Sequence, residues 1–265
     1  MPIEIAILAK QVPDPDIPTS RIRVNESGSD LEISEDVSPI VNGFDLNATE
    51  AALKIRDDGL DVNITVIMVG NDFVNDVVKK PISMGADNLI LVEDENLTSL
   101  SPRVTVNILS KILTKTGPFD LILAGRQASD FDNAHVPIGV AETMGISVIT
   151  YARKIEIIKE HLKVERVTLS GYQIIESPMP VVITVSNEVG EPRYPNLRGI
   201  MAATKKKPEL FSLNDLNFQD SLADGVCLKR MFIRENHNET EIIKGSDDAD
   251  AGRKLAIRLK EEGLL

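Results

Sequence analysis

Cysteine and tryptophan are scarce in this chain of 265 residues, which contains one cysteine, Cys227, and no tryptophan. A single cysteine excludes a disulfide within the chain and a cysteine metal cluster. No apolar run approaches the ~20 residues of a membrane-spanning helix, and residues 1–4 lack the basic segment of a signal peptide. We therefore expect a cytoplasmic protein without a membrane span, in which Cys227 is a small buried residue.

Basic residues are also in the minority, with 29 lysines and arginines against 41 acidic residues and a net charge of −12. This balance disfavours binding to nucleic acid or to anionic membranes. The sequence has no GxxxxGK[ST], HExxH or CxxC pattern and no Ser/His/Asp constellation, so it predicts no metal site and no catalytic residue of its own. Any redox chemistry would then require a bound cofactor.

Apolar runs alternate with helical periodicities in the first 145 residues. The runs predict buried strands at 3–9, 62–69, 88–92 and 121–124. Helical spacing predicts helices at 46–55, 73–84, 102–116 and 136–144, the second of them interrupted by Pro81. Strands that alternate with helices imply βαβ units. We therefore predict an α/β fold, a parallel sheet with flanking helices.

The pattern changes after residue 150. Short alternating segments at 155–157, 162–168 and 172–175 predict an antiparallel β-ribbon added to the sheet, and 181–185 predicts a last buried strand. A small hairpin is predicted at 21–24 and 31–33. After residue 193 the chain has too few apolar residues for a core, apart from a short helix at 250–262. We predict an α/β nucleotide-binding domain of residues 1–192 and an extended C-terminal arm of residues 193–265.

The stretch 119–145 combines a strand, a polar loop and a helix. The strand ends at Gly125, and Pro137 lies in the first helical turn, where its missing N–H costs little. A loop between a parallel strand and a helix N-terminus commonly binds phosphate groups. Gly125 would permit close approach of a ligand, and Asp130 and Asp132 would accept hydrogen bonds from ribose hydroxyls or loop amides. The alternative is a surface loop with helix-capping acids.

Four other polar residues are candidates for the same ligand. Lys10 and Arg126 could neutralise phosphate charge, or be solvated surface cations. Asn42 could bond adenine or ribose, or simply form a turn. His135 is expected to order the loop as a donor rather than to transfer a proton.

Five segments then follow one another in an order known from one protein family. They are residues 9–14, 42–45, 84–87, 125–132 and 191–194, the last followed by Ile200-Met201 and by lysines 205–207. In this order they resemble the beta subunit of electron transfer flavoproteins over essentially the whole chain. The resemblance implies an adenine nucleotide alpha hydrolase-like, Rossmann-like fold. It also implies an alpha subunit as the partner in a heterodimer.

Two cofactors are compatible with that resemblance. In simple members of the family the beta subunit holds a structural AMP. In bifurcating or confurcating members the same slot holds an FAD that exchanges hydride with NAD(H). Residues 132–137, Asp-Asn-Ala-His-Val-Pro, look more like the second kind, as do residues 10–14. We therefore expect FAD, with AMP as the alternative.

Electrons would then pass between ferredoxin, the alpha-subunit FAD and a flavin dehydrogenase of the acyl-CoA or lactate type. A nucleotide-binding regulatory domain of the same fold is a further alternative, but it would not need the long C-terminal arm.

The sequence departs from the family pattern at Gly43, Asn133 and His135, where Pro, Thr and Gln are usual. Each replacement is small or can form hydrogen bonds, so we expect nucleotide binding to tolerate it. Residues 169–173 also depart from the pattern, which leaves the partner contacts of the ribbon open.

The resemblance assigns two sets of residues. The cofactor-binding set is Leu8, Ala9, Lys10, Asn42, Gly43, Phe44, Asp45, Val69, Gly70, Gly125, Arg126, Gln127, Ala128, Asp130, Asp132, Asn133, Ala134, His135, Val136 and Pro137. The partner-docking set is Arg193, Tyr194, Leu197, Ile200 and Met201. In the family a leucine of this docking loop inserts into an apolar pocket of the dehydrogenase. Pro195, Asn196 and Gly199 predict irregular backbone here, and a Leu197 buried in its own subunit is the alternative.

Overall fold

The computed structural model describes residues 1–28, 31–34, 37–97, 101–159, 161–219, 229–233 and 240–265. They form two compact units, a larger one of residues 1–23 and 32–229 and a smaller one of residues 24–31 and 230–265. Cys227 lies outside the described residues, so its burial stays a prediction. No helix in the described ranges is long and apolar enough to cross a bilayer.

Thirteen strands occur in the described chain. They are β1 Ile3–Ala9, β2 Gln11–Val12, β3 Ile22–Val24, β4 Leu31–Ile33, β5 Ile40–Val41, β6 Val62–Gly70, β7 Asn88–Glu93, β8 Leu121–Gly125, β9 Ser147–Ile158, β10 His161–Thr168, β11 Gly171–Pro178, β12 Val181–Val185 and β13 Glu209–Phe211. The α-helices of the same residues are α1 Gly43–Asp57, α2 Asn75–Val78, α3 Lys80–Met84, α4 Pro102–Thr116, α5 Val136–Met144, α6 Leu197–Lys205 and α7 Asp248–Glu261.

Nine of these strands form one sheet in the order β11-β10-β9-β12-β8-β1-β6-β7-β13. The seven strands from β9 to β13 in this order pair in parallel, whereas β10 pairs antiparallel with both β9 and β11. The predicted fold class, a parallel sheet with an added antiparallel ribbon, is confirmed. The predicted hairpin also forms, since β3 and β4 make a two-stranded sheet, as do β2 and β5.

The central strand β1 shows why the sheet is covered on both faces. Ile5 and Ile7 belong to one buried cluster, which includes Leu53 of α1. Ala6 and Leu8 point the other way, into a second cluster with residues of α4 and α5. Alternate side chains of a strand face opposite sides, so a continuous apolar run requires two apolar layers.

The predicted interruption at Pro81 is confirmed, because α2 ends at Val78 and a separate short helix, α3, begins at Lys80 with Pro81 in its first turn. Two other predictions of local structure were wrong. Helix α1 begins at Gly43 instead of residue 46, since an acid such as Asp45 is favourable in a first turn. Residues 197–205 form α6 instead of a loop. The edge strand β13 was missed because its three residues carry no strand pattern of their own.

The smaller unit contains α7, which lies close to its predicted bounds. Asp247 caps the helix by accepting a hydrogen bond from the amide of Asp250. Acids in the first turn and bases in the last turn complement the helix dipole. None of the α7 residues is buried. That the arm of residues 193–265 packs on another subunit stays a prediction.

Candidate functional site

The carboxyl ends of β1, β8 and β12 meet at one edge of the sheet, because these strands are parallel neighbours. Asp45, in the first turn of α1, joins two of them. Its carboxylate accepts hydrogen bonds from the amide of Lys10 over 2.9 Å and from the amide of Gly125 over 3.1 Å. Burial raises the pKa of Asp45 to about 7, although these hydrogen bonds and that of Asn42 oppose the rise.

Gly125 meets a steric requirement that differs from the predicted one. A Cβ atom at this position would overlap Oδ1 of Asp45 and would lie 2.8 Å from Cβ and 2.9 Å from the carbonyl carbon of Phe44. The glycine therefore permits α1 to pack against the end of β8. A larger residue here would have to displace the first turn of α1, which fills the space.

The side chain of Asn42 supports the polar loop between β8 and α5 through two hydrogen bonds. Its Nδ2 donates to the carbonyl of Gln127 over 2.9 Å, and its Oδ1 accepts from the amide of Ser129 over 3.2 Å. The side chain is buried, with 1% of the residue exposed. Both ends of the amide are thus engaged by the protein itself, which makes Asn42 a support of the loop. A direct bond from Asn42 to adenine or ribose stays a prediction.

The loop is also fixed by its own acids. Asp130 pairs with the ammonium group of Lys10 and accepts from the amide of Phe131 over 2.9 Å. The Lys10 ammonium lies 5.6 Å from the centre of the Phe131 ring. Asp132 accepts from Nε2 of Gln127 over 2.7 Å. Asp130 thus accepts from a loop amide, which is one of the two roles predicted for it.

The backbone just before α5 has an unusual conformation. Asp132 and Ala134 have φ values of 51° and 53°, in the left-handed region that non-glycine residues rarely adopt. In this described loop, the amides of Asn133, Ala134, His135 and Val136 have no hydrogen-bond partner. Residues of alternating handedness turn successive N–H groups towards one side, which creates a concave site for anions.

The N-terminus of α5 adds its positive dipole end to these amides. Pro137 lies in the first helical turn, as predicted. The exposed His135 precedes the helix and makes no capping hydrogen bond through its side chain. Donors without partners at a helix N-terminus fit a phosphate or pyrophosphate group. The residues of this loop therefore fit the nucleotide that the sequence predicts.

Arg126 lies at the start of the loop, on the side of β12. Its amide donates to the carbonyl of Val185 over 2.8 Å. Its guanidinium carbon is 4.7 Å from the ring centre of Phe44 and 5.9 Å from that of Tyr151. Sequence reasoning missed Tyr151, because only the parallel pairing of β9 with β12 brings this residue to the edge of the sheet.

The remaining predicted cofactor residues follow the same edge. Leu8 and Ala9 end β1, and Val69 and Gly70 end the neighbouring strand β6. Gly43 is the exposed first residue of α1. The structure therefore brings the predicted cofactor residues of β1, β6, the start of α1 and the loop before α5 to one edge of the sheet. Contact of each residue with a ligand stays a prediction.

The docking residues divide into two groups. Arg193 turns inward, where its Nε and one terminal nitrogen bond to Glu50 over 2.8 and 2.9 Å, and that nitrogen also bonds Asp57 over 2.7 Å. These carboxylates raise the pKa of Arg193 above its ordinary value. Arg193 therefore holds the segment on α1. Its predicted role as a contact for a partner stays a prediction.

Leu197, Ile200 and Met201 lie at i, i+3 and i+4 on α6, which places them on one helix face. Leu197 is 73% exposed, so the alternative of a leucine buried in its own subunit is wrong. Tyr194, just before the helix, is also exposed. The other face of α6 packs through Gly199, where a Cβ atom would overlap the carbonyl oxygen of Ser83 in α3.

Known proteins similar to this chain carry related names. Residues 30–216 match the electron transfer flavoprotein domain. An electron transfer flavoprotein subunit beta of Thermoanaerobacterium thermosaccharolyticum is 37% identical over 215 residues, which are 81% of this chain and 80% of that protein. The protein of the same name in Megasphaera elsdenii is 36% identical over 77% of this chain and 76% of its own length. Caffeyl-CoA reductase-Etf complex subunit CarD of Acetobacterium woodii is 29% identical over 99% of this chain and 100% of its own length.

Proposed function

This chain belongs to the beta subunits of the electron transfer flavoprotein family, and we propose that its loop between β8 and α5 binds FAD. The observation that carries the proposal is the group of unpartnered amides from Asn133 to Val136 at the N-terminus of α5. Such amides bind the pyrophosphate of a dinucleotide through backbone N–H groups. FAD, when bound, supplies the hydride and single-electron chemistry that the side chains of this chain lack.

Each part of the site has a separate task in this proposal. The amides before α5 hold the phosphates, and the ends of β1 and β6 offer backbone contacts to the adenosine half. Asn42, Asp45 and the pair of Lys10 with Asp130 keep the loop in the binding conformation. The donors are fixed before the ligand arrives, which lowers the entropy cost of binding.

The full-length similarity to a subunit of a caffeyl-CoA reductase-Etf complex supports a role in a larger assembly. We propose that this chain pairs with an alpha subunit and works in a complex of the bifurcating or confurcating type. There NAD(H) would exchange hydride with the FAD of this chain. Electrons would pass to ferredoxin and, through the FAD of the alpha subunit, to a flavin dehydrogenase of the acyl-CoA or lactate type.

The exposed face of α6 is the proposed contact for that dehydrogenase. Leu197, Ile200 and Met201 present apolar side chains to solvent on one helix face, and Tyr194 precedes them. A helix that offers anchors at i, i+3 and i+4 fits an apolar groove of a partner. The close packing of Gly199 on α3 keeps this face rigid.

The decisive experiment is to co-purify the chain with its alpha subunit and to identify the nucleotides released by acid. Two FAD per heterodimer and no AMP is the expected result. One FAD and one AMP would replace the proposal by a simple electron transfer flavoprotein, in which the same amides hold a single structural phosphate. As a control, a Pro137→Ala variant should keep its bound nucleotide, since Pro137 offers no N–H to a phosphate.

A further inference from the structure

Two cationic side chains, Lys10 and Arg126, lie near the carboxyl ends of the parallel strands, and only one of them has an acidic partner in the described chain. The ammonium group of Lys10 is paired with Asp130. The guanidinium group of Arg126 makes no ion pair or hydrogen bond with any described residue, and its Nε is buried without a partner. The unpaired cation is thus the more buried of the two, since Lys10 is exposed.

A buried N–H without an acceptor is costly, because it has lost water and gained no hydrogen bond, and the Nε–H of Arg126 is such a group. The nearby Glu188 does not neutralise it by a hydrogen bond. That carboxylate accepts from the hydroxyl of Ser186, which is the main reason that the pKa of Glu188 is lowered, with a smaller contribution from the charge of Arg126. Arg126 is therefore held by its aromatic neighbours and not by an acid.

Tyr151 is placed beside Arg126 by a distortion of β9. Its φ of 59° lies in the left-handed region, which is strained for an aromatic residue. Its amide leaves the strand ladder and donates to Oγ1 of Thr184 over 3.1 Å. The register between β9 and β12 shifts at the same point, between Ile183 and Val185. Bulges of this kind redirect side chains and are common next to functional sites.

We propose that Arg126 is the cation that contacts a phosphate group of the bound nucleotide, with Phe44 and Tyr151 as positioning residues for its guanidinium. Lys10, in contrast, orders the loop through Asp130 and does not contact the phosphate. A guanidinium without an acidic partner can form two parallel hydrogen bonds to a phosphate. This inference rests on the proposed function, because it requires a nucleotide in the loop.

The test compares ligands that differ only in phosphate. The full-length chain, purified with its alpha subunit and freed of nucleotide in this subunit, is titrated with FAD, AMP and adenosine. We expect Arg126→Met to weaken AMP and FAD by about tenfold or more and adenosine by less than about twofold. Arg126→Lys keeps the positive charge but cannot form two parallel hydrogen bonds to a phosphate. Its affinity for AMP and FAD should therefore lie between those of the wild type and of Arg126→Met.

Two further variants test the assigned roles. Lys10→Met should weaken AMP and adenosine by the same factor, because it disturbs the loop as a whole. Tyr151→Ala should lower the preference for AMP over adenosine, whereas Tyr151→Phe should leave it unchanged. Melting temperatures of all variants show whether each remains folded.

An equal effect of Arg126→Met on AMP and adenosine would overturn the inference, as would a selective loss of AMP binding in Lys10→Met. A wild-type complex that binds none of the three ligands in this subunit would instead overturn the proposed function. Should Arg126→Met not fold, the ratio of AMP to adenosine affinity in Arg126→Lys and Tyr151→Ala decides the question.

Discussion

The amide of Gly125 donates to Oδ1 of Asp45 over 3.1 Å, and the same side chain leaves no room for a Cβ atom on Gly125. One contact thus joins the end of β8 to the first turn of α1. Gly125 and Asp45 are 80 residues apart in sequence, so this contact connects two distant parts of the chain. The geometry of the loop between β8 and α5 therefore depends on how closely α1 approaches the sheet.

Gly125→Ala should destabilise the larger unit by about 1–3 kcal/mol or more, because the new Cβ would press on the backbone of Phe44. Chemical denaturation of the variant measures the loss. Gly43→Ala is the matched control, since no atom lies within 4 Å of its added Cβ. Equal stability of the two variants would contradict the steric role of Gly125.

The raised pKa of Asp45 predicts a dependence of stability on pH. Burial raises it from 3.8 in the unfolded chain to about 7 in the fold. The folded state therefore holds a proton that the unfolded state has lost, so the stabilisation is present below pH ~4 and disappears as pH rises through ~7. Between pH 5 and pH 8 this carboxyl should lower the stability by about 2–3 kcal/mol.

Urea denaturation of the wild type and of Asp45→Asn at pH 5 and pH 8 measures this effect. The asparagine does not titrate, so the variant should lose the Asp45 part of the pH dependence, whatever its absolute stability. Other titrating groups contribute equally to both proteins. An identical pH dependence in the two proteins would show that the carboxyl of Asp45 keeps its ordinary pKa.

Leu197→Ala should weaken docking of the partner dehydrogenase about tenfold or more, because truncation of an interface anchor typically costs about 1–4 kcal/mol. The melting temperature and the bound flavins should stay nearly unchanged, since Leu197 is largely exposed. Leu210→Ala is the matched control, as Leu210 is a similarly exposed leucine on β13. The rate of electron transfer to the partner is measured for both variants and should fall in Leu197→Ala but not in Leu210→Ala. A similar loss in both would assign no docking role to α6.

Arg193→Ala should destabilise the fold by about 3–5 kcal/mol, because it leaves the nearly buried carboxylate of Glu50 without its partner. Arg193→Lys should recover only part of the loss, since an ammonium cannot bond both oxygens of Glu50 in parallel. Thermal and chemical unfolding measure the effect. If docking fell while stability remained that of the wild type, Arg193 would act at the interface instead.

The order of the elements was readable in the sequence, because it depends on local patterns. Continuous apolar runs predicted β1, β6, β7, β8 and β12, and the bounds of α4 and α5 were predicted correctly. Pro81 was recognised as a break for the same local reason. The segments in family order also identified the loop at 125–132, since motifs need no tertiary structure.

Only the tertiary structure decided what individual residues do at the site. Asn42 and Gln127 are 85 positions apart, and Arg193 and Glu50 are 143 apart, so no local pattern reveals either contact. Gly199 was predicted to interrupt regular structure, but it lies within α6 and gives room to the carbonyl of Ser83. Gly125 gives room to the first turn of α1, a contact that no local pattern indicates. Tyr151 reaches Arg126 because β9 pairs with β12 and bends there. Residue type and spacing determine which elements form, whereas the packing of distant elements determines which polar groups already have partners and which can bind a ligand.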